Sequence, residues 1–391
     1  MMDKAFFEQK IDRRNTSCEK WDDRSVMREG GIPLWVADMD FACPPQVTDA
    51  LKKRAAHPCY GYTAEDEYAA NTEALRAFWA RRHALELAAE ECVMLPCVIT
   101  GLKLAVRLLT DEGEGVAVMT PVYGPFYQAV KLNGRTVVEI PLKENEDARY
   151  EMDFDALEEA LKDGVSLIML CSPHNPVSRL WTRSELERVA ALAKQYDAKI
   201  VCDEIHADFV YAPGTFVPLL SVPDARERSV MLCSASKTFN IAGLQQACAV
   251  IPNAEIREQF RAKMDAAGIV CGNTMALTAT RTAYNEGDEW LDALIAYLDE
   301  NRAYLTEYVR TELPKAKLTP IEATYLGWLD CRAWGKTTDE LMKLCVEEGV
   351  AFTGGTFFGT AGDGFLRVNF ACPREQLTEG LERLKKALEK A

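Results

Sequence analysis

The sequence has little material for a metal site or for a scaffold held together by disulfides. Its 391 residues include only four histidines, and none of its thirteen cysteines forms a C-x-x-C pair, so a metal site built from soft ligands is not expected. The cysteine count is odd, and several cysteines lie inside apolar stretches, which predicts reduced core residues of a cytoplasmic protein. These cysteines are Cys97, Cys171, Cys202, Cys233 and Cys271.

The sequence also lacks an excess of positive charge and any long apolar segment. Its formal net charge of −15 opposes binding to the phosphates of nucleic acids or to anionic membranes. No stretch approaches the roughly 18 apolar residues of a membrane-spanning helix, and the charged start, MMDKAFFEQK, does not resemble a signal peptide. We therefore expect a cytoplasmic protein without nucleic-acid or membrane partners.

Short apolar runs alternate with helical patterns between about residues 90 and 250. One helix is legible in detail, because Thr182 is placed to cap it and Glu185 completes a capping box. The alternation predicts an α/β fold with a mostly parallel sheet covered by helices. The runs expected to form strands are Gly115–Met119, Thr136–Ile140, Val165–Cys171, Lys199–Cys202 and Val230–Cys233.

The pattern of predicted helices and strands changes after residue 280. A long helical stretch around Trp290–Val309 precedes the apolar runs Tyr325–Cys331 and Phe365–Phe370 and a charged final helix, which predicts a smaller α+β domain. A chain of this length also exceeds the usual size of one hydrophobic core. We predict an extended N-terminal arm (1–45) packing with the small domain, a large domain (46–283) and a small C-terminal domain (284–391).

Polar residues follow three of the predicted strands, at the sheet edge where open α/β folds bind ligands. Asn175 lies in a Ser-Pro-His-Asn-Pro turn, Asp203 directly follows a strand, and Lys237 lies in Ser-Ala-Ser-Lys-Thr. Taken separately, they are typical of a tight turn, a salt bridge or helix cap, and a solvated lysine. Together they supply the donor, the carboxylate and the amine that pyridoxal phosphate (PLP) needs.

The segments PHNP, CDEIHADF and SASKTFNIAGLQ resemble signature stretches of the class I/II aminotransferase superfamily, fold type I of the PLP enzymes. Further segments are similar to its cystathionine β-lyase or C–S lyase subgroup, which includes the β-cystathionase that also modulates maltose regulation. The resemblance implies PLP as cofactor, an amino-acid substrate and a homodimer with active sites shared between subunits. The further segments are WVADMDF at 35–41, YGYT at 60–63, TPVYGPF at 120–126, YLGWLDCR at 325–332 and FLRVNFACPR at 365–374.

The resemblance implies roles around the cofactor ring. Lys237 matches the lysine that holds the cofactor as a Schiff base, and Asp203 matches the carboxylate that pairs with the ring nitrogen. Asn175 matches a hydrogen-bond donor to the phenolic oxygen, and His206 stands where many aminotransferases carry a tyrosine for that oxygen. Tyr123 matches an aromatic residue stacked on the ring. A core histidine bonded to the backbone is the alternative for His206.

The resemblance also implies residues for the phosphate and for the substrate. Arg367 matches the arginine that grips the substrate α-carboxylate, with Asn175 beside it, and a buried salt bridge is its main alternative. Tyr62, from the other subunit, matches a residue at the phosphate and substrate, with Tyr60 as the alternative. The remaining phosphate contacts are Ser234, Ser236 and the helix start formed by Thr100, Gly101 and Leu102, where free N–H groups attract anions.

Three positions depart from the pattern of the superfamily. Ser178 stands where a glycine is common, Cys97 replaces a common glycine, and Gln245 occupies the place where many aminotransferases have a phosphate-binding arginine. The absence of that arginine is shared with the C–S lyases.

The resemblance favours a lyase that cleaves cystathionine or related cysteine S-conjugates to a thiol, pyruvate and ammonia. Lys237 is the natural general base at Cα because burial lowers the pKa of an amine, and Tyr123 is placed with it at the reacting centre. An aminotransferase, which uses the same residues, is the alternative. A regulatory or binding protein that retains the fold is a third, against which the intact Lys237, Asp203 and Arg367 argue.

Overall fold

A computed structural model describes residues 4–23, 25, 26, 28–270 and 272–391. The α-helices in these residues are α1 (Lys4–Phe7), α2 (Glu19–Asp22), α3 (Pro45–Ala55), α4 (Glu65–His83), α5 (Val98–Leu109), α6 (Pro125–Lys131), α7 (Phe154–Lys162), α8 (Arg183–Gln195), α9 (Ala235–Thr238), α10 (Ala254–Ala266), α11 (Thr274–Glu286), α12 (Asp288–Glu312), α13 (Thr338–Glu347) and α14 (Arg374–Glu389). The strands are β1 (Ile32–Pro33), β2 (Cys92–Leu95), β3 (Gly115–Thr120), β4 (Thr136–Pro141), β5 (Lys143–Glu144), β6 (Tyr150–Glu151), β7 (Leu167–Cys171), β8 (Lys199–Asp203), β9 (Ser229–Cys233), β10 (Ala247–Val250), β11 (Lys317–Leu318), β12 (Leu326–Asp330), β13 (Val350–Ala351), β14 (Thr353–Gly354) and β15 (Phe365–Asn369).

The central sheet has seven strands in the order β2-β10-β9-β8-β7-β3-β4. Neighbouring strands from β9 to β4 run parallel, and β10 runs antiparallel to both β9 and β2. Strands β7 and β9 are buried along their whole length, as expected where helices cover both faces of a sheet. The predicted α/β fold is confirmed, and all five predicted strands are present with ends shifted by one or two residues.

Helix α8 begins as its sequence predicts. The Thr182 hydroxyl accepts a hydrogen bond from the N–H of Glu185 at 3.2 Å, and the Glu185 carboxylate accepts one from the N–H of Thr182 at 2.8 Å. This reciprocal capping box is confirmed, and it satisfies two N–H groups that the first turn of a helix cannot bond internally.

The C-terminal part of the chain builds a second, smaller sheet, as expected for an α+β unit. Strands β11, β12, β15 and β14 form it in that order, all antiparallel, and helices α12 to α14 accompany it in the sequence. The domain boundaries at residues 45 and 283 stay a prediction.

The N-terminal arm contacts both parts of the chain. Strand β1 pairs in parallel with β13, and α1 packs on α12. Further along, the Asn240 side-chain amide donates to the carbonyls of Met39 and Phe41 at 2.9 and 2.8 Å. The arm is therefore not wholly extended, since α1 and α2 interrupt it, and it reaches beyond the small sheet onto the loop after α9.

The cysteines are free thiols in the part of the chain that the structure describes. Cys171, Cys202 and Cys233 are buried, as predicted, whereas Cys97 is only half-buried because it lies at the start of α5. Cys271 lies outside the described residues. Within those residues, no helix is long and apolar enough to cross a membrane, and no cluster of His, Cys, Asp or Glu could hold a metal ion. The cytoplasmic location stays a prediction.

Candidate active site

Three of the predicted site residues lie at the ends of the central strands β7, β8 and β9, at one edge of the sheet. The register pairs Cys171 at the end of β7 with Asp203 at the end of β8, and Asp203 with Leu232 on β9. Because parallel strands end at the same edge, Asn175, Asp203 and Lys237 emerge side by side.

Lys237 lies on the short helix α9, which follows β9 directly. Its Nζ donates to the carbonyl oxygen of Ala37 at 2.6 Å, so the arm forms one wall of the site. Burial lowers the pKa of the Lys237 amine, with Arg367 acting in the same direction, while the carboxylates of Asp38 and Asp203 oppose the shift. The amine is thus easier to deprotonate than an ordinary lysine.

Asp203 is a buried carboxylate without an ion-pair partner among the described residues. Its Oδ1 accepts a hydrogen bond from the N–H of Ile205 at 3.1 Å. Burial raises the pKa of Asp203 to about 6, although that hydrogen bond and the charge of Lys237 lower it. Lys237 is close enough for its charge to act on Asp203, but it forms no ion pair with this carboxylate. The carboxylate is therefore available to a cationic ligand.

His206 is a buried, neutral imidazole beside Asp203. Burial lowers its pKa to about 3, and its ring lies 5.7 Å from that of Tyr325 and 6.2 Å from that of Phe209. Its Nδ1 has no hydrogen-bond partner within the described part of the protein. A neutral ring with a free nitrogen can accept or donate one hydrogen bond to a ligand.

Arg367, on β15, reaches across to the large sheet and contacts Asn175. Its Nη1 donates to Asn175 Oδ1 at 3.2 Å, and its Nη2 donates to the Trp35 carbonyl at 2.8 Å and to Thr353 Oγ1 at 3.1 Å. Burial lowers the pKa of Arg367 to about 10, so the group is still charged at neutral pH. The alternative of a buried salt bridge is wrong for the described residues, where Arg367 meets only neutral oxygens and its Nε is unpartnered.

Tyr123 follows β3 at the same edge and is partly buried. Burial raises the pKa of its phenol, and the charge of Arg367 opposes that shift. Its ring lies 5.8 Å from the ring of Phe357, which is about half exposed. Tyr123 therefore forms an aromatic wall between the mouth of the site and the groups below it.

The expected anion cradle at the start of α5 needs a correction. The helix begins at Val98, and the N–H of Gly101 is already bonded to the Cys97 carbonyl at 3.3 Å, so Gly101 and the buried Leu102 do not offer free N–H groups. The unbonded N–H groups of the first turn belong to Val98, residue 99 and Thr100. Gly101 has a packing role instead, because an added Cβ would lie 2.6 Å from Leu232 Cδ2.

The two serines before Lys237 differ in their surroundings. Ser234 is buried, its hydroxyl donates to the Gln246 carbonyl at 2.6 Å, and it accepts from the N–H of Ser236 at 3.0 Å. Ser236 is half-buried. Ser234 thus caps α9 and fixes the start of the helix that carries Lys237.

Tyr62 and Tyr60 do not join the other site residues within this single chain. Tyr62 is fully exposed, and Tyr60 is largely exposed while its hydroxyl donates to the Ala55 carbonyl at 2.8 Å. Both lie in the loop before α4, which begins at Glu65. A contribution of either residue to a site requires a second copy of the chain.

Two of the positions that depart from the superfamily pattern have a left-handed backbone. Ser178 has φ +56° and Gln245 has φ +57°, the left-handed region in which glycine is usual. The Ser178 hydroxyl bonds the Leu326 carbonyl and Thr324 Oγ1, which holds a glycine-like turn without a glycine. Gln245 is exposed and leaves the role of the missing arginine unfilled.

Sequence reasoning missed the groups that the N-terminal arm contributes. The carbonyl of Trp35 accepts from Arg367, and the carbonyl of Ala37 accepts from both Lys237 and the Tyr325 hydroxyl, the latter at 2.9 Å. Backbone carbonyls leave no residue-type signal in a sequence. The only hint was that the segments 35–41 and 325–332 carry the resemblance to the C–S lyases.

Residues 29–384 match the family described as Aminotransferase class I and II. The chain belongs to this family. Within it, the chain is 38% identical to cystathionine beta-lyase PatB of Bacillus subtilis over 98% of this chain and 99% of the relative. It is 34% identical to protein MalY of Escherichia coli over 98% of both chains.

A solved structure gives the same fold for a relative with a bound cofactor. Cystalysin from Treponema denticola, whose crystal structure contains pyridoxal 5'-phosphate, superposes with a TM-score of 0.94 and 32% identity over the whole of both chains. The fold type I architecture implied by the sequence resemblance is thereby confirmed, as is membership in the class I and II aminotransferase family.

Proposed function

We propose that this protein is a PLP-dependent carbon–sulfur lyase that cleaves cystathionine or related cysteine S-conjugates. The observation that carries the proposal is the convergence of Lys237, Asp203 and the Arg367–Asn175 pair at one sheet edge. Relatives that match nearly the whole chain are named cystathionine beta-lyase, cystalysin and C–S lyase, which favours the lyase over the aminotransferase.

The groups left unsatisfied in the site fit PLP. Asp203 is a buried carboxylate that forms no ion pair among the residues that the structure describes, and a protonated ring nitrogen would supply its cation. The free Nδ1 of His206 and the amide of Asn175 suit a phenolic oxygen, and the first turn of α5 with Ser236 suits a phosphate. When bound, PLP supplies an aldehyde that condenses with amines and a ring that accepts the electron pair left at Cα.

The protein's own residues would then bind the substrate and move one proton. Arg367 and Asn175 hold the α-carboxylate, and Tyr123 closes one side of the site. Asp203 keeps the proton on the ring nitrogen. The Lys237 amine, whose pKa burial lowers, takes the proton from Cα, after which the thiolate leaves Cβ. Cystathionine and water thus give homocysteine, pyruvate and ammonia.

Incubation of the purified, PLP-loaded protein with cystathionine tests this proposal. We expect equal amounts of thiol and pyruvate without any keto-acid acceptor, whereas a requirement for an acceptor would favour the aminotransferase. Lys237→Ala should lose the visible cofactor absorbance and essentially all turnover. Lys199→Ala, at the far end of β8, is the matched control and should retain both.

We also propose that the enzyme works as a homodimer in which Tyr62 reaches the neighbouring site. Its full exposure in a single chain is unusual for a tyrosine, and it supports an intersubunit role. Mixing Lys237→Ala chains with Tyr62→Phe chains tests this idea, because a mixed dimer holds one site with neither substitution. Recovery of activity above either variant alone is expected, and no recovery would contradict the shared site.

A further inference from the structure

A small pocket lies beside Ser234. It leaves about 10 Å³ for the centre of a water molecule, which is close to the room that one water needs. The side chains that matter for its chemistry are Asn71, Met94, Ser234, Gln246, Thr280 and Tyr284. None of the residues that line it is charged.

Three side-chain oxygens of the residues that line this pocket are buried and have no hydrogen-bond partner within the described residues. They are Asn71 Oδ1, Gln246 Oε1 and Thr280 Oγ1, and each side chain is at most 6% exposed. Leaving three such atoms unbonded would destabilise the fold, since a buried polar group without a partner loses its hydrogen bonds to water and gains none in return. In native proteins most buried polar side-chain atoms are bonded to protein or to ordered water.

The orientation of each group is fixed by its neighbours. The Asn71 amide nitrogen donates to the carbonyl and carboxylate of Glu67 at 3.0 and 3.2 Å, which leaves its oxygen free. The Gln246 amide nitrogen lies 3.3 Å from Met94 Sδ, which likewise leaves its oxygen free. Two acceptors and one hydroxyl therefore remain.

Thr280 differs from the threonines beside it on α11. Thr278 and Thr282 each donate to the carbonyl four residues earlier, both at 2.8 Å, whereas Thr280 does not use its own helix in this way. Threonine hydroxyls in helices usually make that bond. The hydroxyl of Thr280 can therefore donate a hydrogen bond to a molecule bound in the pocket.

We propose that this pocket binds one structural water molecule, which donates to Asn71 Oδ1 and Gln246 Oε1 and accepts from the Thr280 hydroxyl. Two acceptors and one donor match the two hydrogens and a lone pair of water. A sodium or potassium ion fits less well, because only three neutral side-chain oxygens are free and no carboxylate balances the charge.

The water joins α4, α11 and the residue before β10, next to Ser234. Gln246 is held by the water through its side chain, and its backbone carbonyl accepts from the Ser234 hydroxyl at 2.6 Å. The water therefore supports the capping residue of α9 and, through α9, the position of Lys237. The consequence for cofactor binding rests on the proposed function, whereas the water site itself does not.

A high-resolution crystal structure of the PLP-loaded enzyme, grown with rubidium chloride, tests the site directly. We expect one density peak of water strength within hydrogen-bond distance of all three oxygens and no anomalous signal from rubidium. A rubidium signal would overturn the choice of water over a cation. A Thr280 hydroxyl turned onto its own helix, with no density in the pocket, would overturn the site altogether.

Substitution of Thr280 gives a second test, in which the direction of the change in the thermal midpoint decides. If the hydroxyl donates to a water, Thr280→Val removes that bond and lowers the thermal midpoint by about 1–3 °C. If the hydroxyl has no partner, the same change removes an unsatisfied group and raises the midpoint. Thr280→Ser should restore most of the loss, and Thr282→Val is the control on the same helix that should leave the pocket water in place.

Cofactor retention gives a readout that depends on the proposed function. In Thr280→Val we expect the PLP dissociation constant to rise about 2- to 10-fold, measured from the visible absorbance during dialysis. A wild-type protein that binds no PLP would defeat the proposed function and leave the water site standing. An unchanged dissociation constant together with an unchanged thermal midpoint would defeat the inference.

Discussion

Lys237 and Tyr325 donate to the same acceptor, the carbonyl oxygen of Ala37, at 2.6 and 2.9 Å. The two donors come from different parts of the chain: Lys237 lies on α9, which follows β9 of the large sheet, and Tyr325 directly precedes β12 of the small sheet. The N-terminal arm therefore links these two parts of the chain through the Ala37 carbonyl. The position of the Lys237 amine depends on a peptide group that belongs to neither sheet.

Replacing Tyr325 by phenylalanine tests that link. The ring contacts with His206 and Phe209 are kept and only the hydroxyl bond is lost, so we expect kcat/KM to fall about 3- to 10-fold. Steady-state pyruvate formation measures the effect. Tyr211→Phe is the matched control, because it removes a 2.8 Å hydroxyl bond to the Thr324 carbonyl and should not lower kcat/KM comparably.

Arg367→Lys should weaken substrate binding while the cofactor stays bound. A lysine cannot present two parallel N–H donors to a carboxylate, so we expect KM to rise about 10- to 100-fold with a smaller change in kcat. Arg332→Lys, about half exposed and paired with Asp330, is the control and should behave like the wild type. An unchanged KM in Arg367→Lys would contradict the assignment.

The affinity for PLP should fall in mild acid because of Asp203. In the cofactor-free protein its pKa is raised to about 6 by burial, and pairing with a protonated ring nitrogen requires the ionised form. Below pH 6 binding must therefore release a proton, and affinity should drop by up to about tenfold per pH unit. Titration between pH 5 and 7.5 measures this slope, which Asp203→Asn should flatten.

Glu204, next to Asp203, should limit stability in alkali. Burial raises the pKa of Glu204 from 4.5 to about 8, so its neutral form is favoured in the fold. The stability that it contributes is full below about pH 4.5 and is lost as pH rises through 8. Glu204→Gln, which keeps an oxygen for the Leu219 N–H, should be more stable than the wild type by about 4 kcal/mol near pH 8 and similar to it near pH 4.5. Denaturant midpoints across that range measure the difference.

The buried ion pairs within the N-terminal arm should contribute more to stability than an exposed ion pair. Lys20 is fully buried, with its Nζ 2.8 Å from Asp40 and 3.6 Å from Asp38. Lys20→Met leaves these carboxylates short of a cation and should cost about 3 kcal/mol in the free energy of unfolding. Lys10→Met breaks the exposed pair with Glu375 and is the control, for which little change is expected. Equal effects would contradict the role of burial.

Much of the fold was predictable because buried strands and capped helices leave strong local patterns. The unbroken apolar runs and the Thr182–Glu185 capping box both appear as expected. Strands β2 and β10 were missed, because each is only four residues long and their pairing joins segments more than 150 residues apart. No local pattern records such a contact.

The site was predictable where side-chain chemistry carries it. Asp203, Asn175 and Lys237 follow strands and meet as parallel strand ends must. The starting residue of α5 was misplaced, because helix ends are hard to locate without a capping side chain, and Cys97 supplies none. The partner of Arg367 was also open, since a buried guanidinium can be satisfied by carbonyls as well as by carboxylates.

The segment 35–41 makes turnover depend on a part of the chain that supplies none of the side chains assigned to the substrate or the cofactor. Its carbonyls hold Lys237 and Arg367, while Asp38 and Asp40 on the same segment are gripped by Arg13 and Lys20. A protease that trims the first twenty residues would therefore silence turnover without touching a single group that meets the substrate.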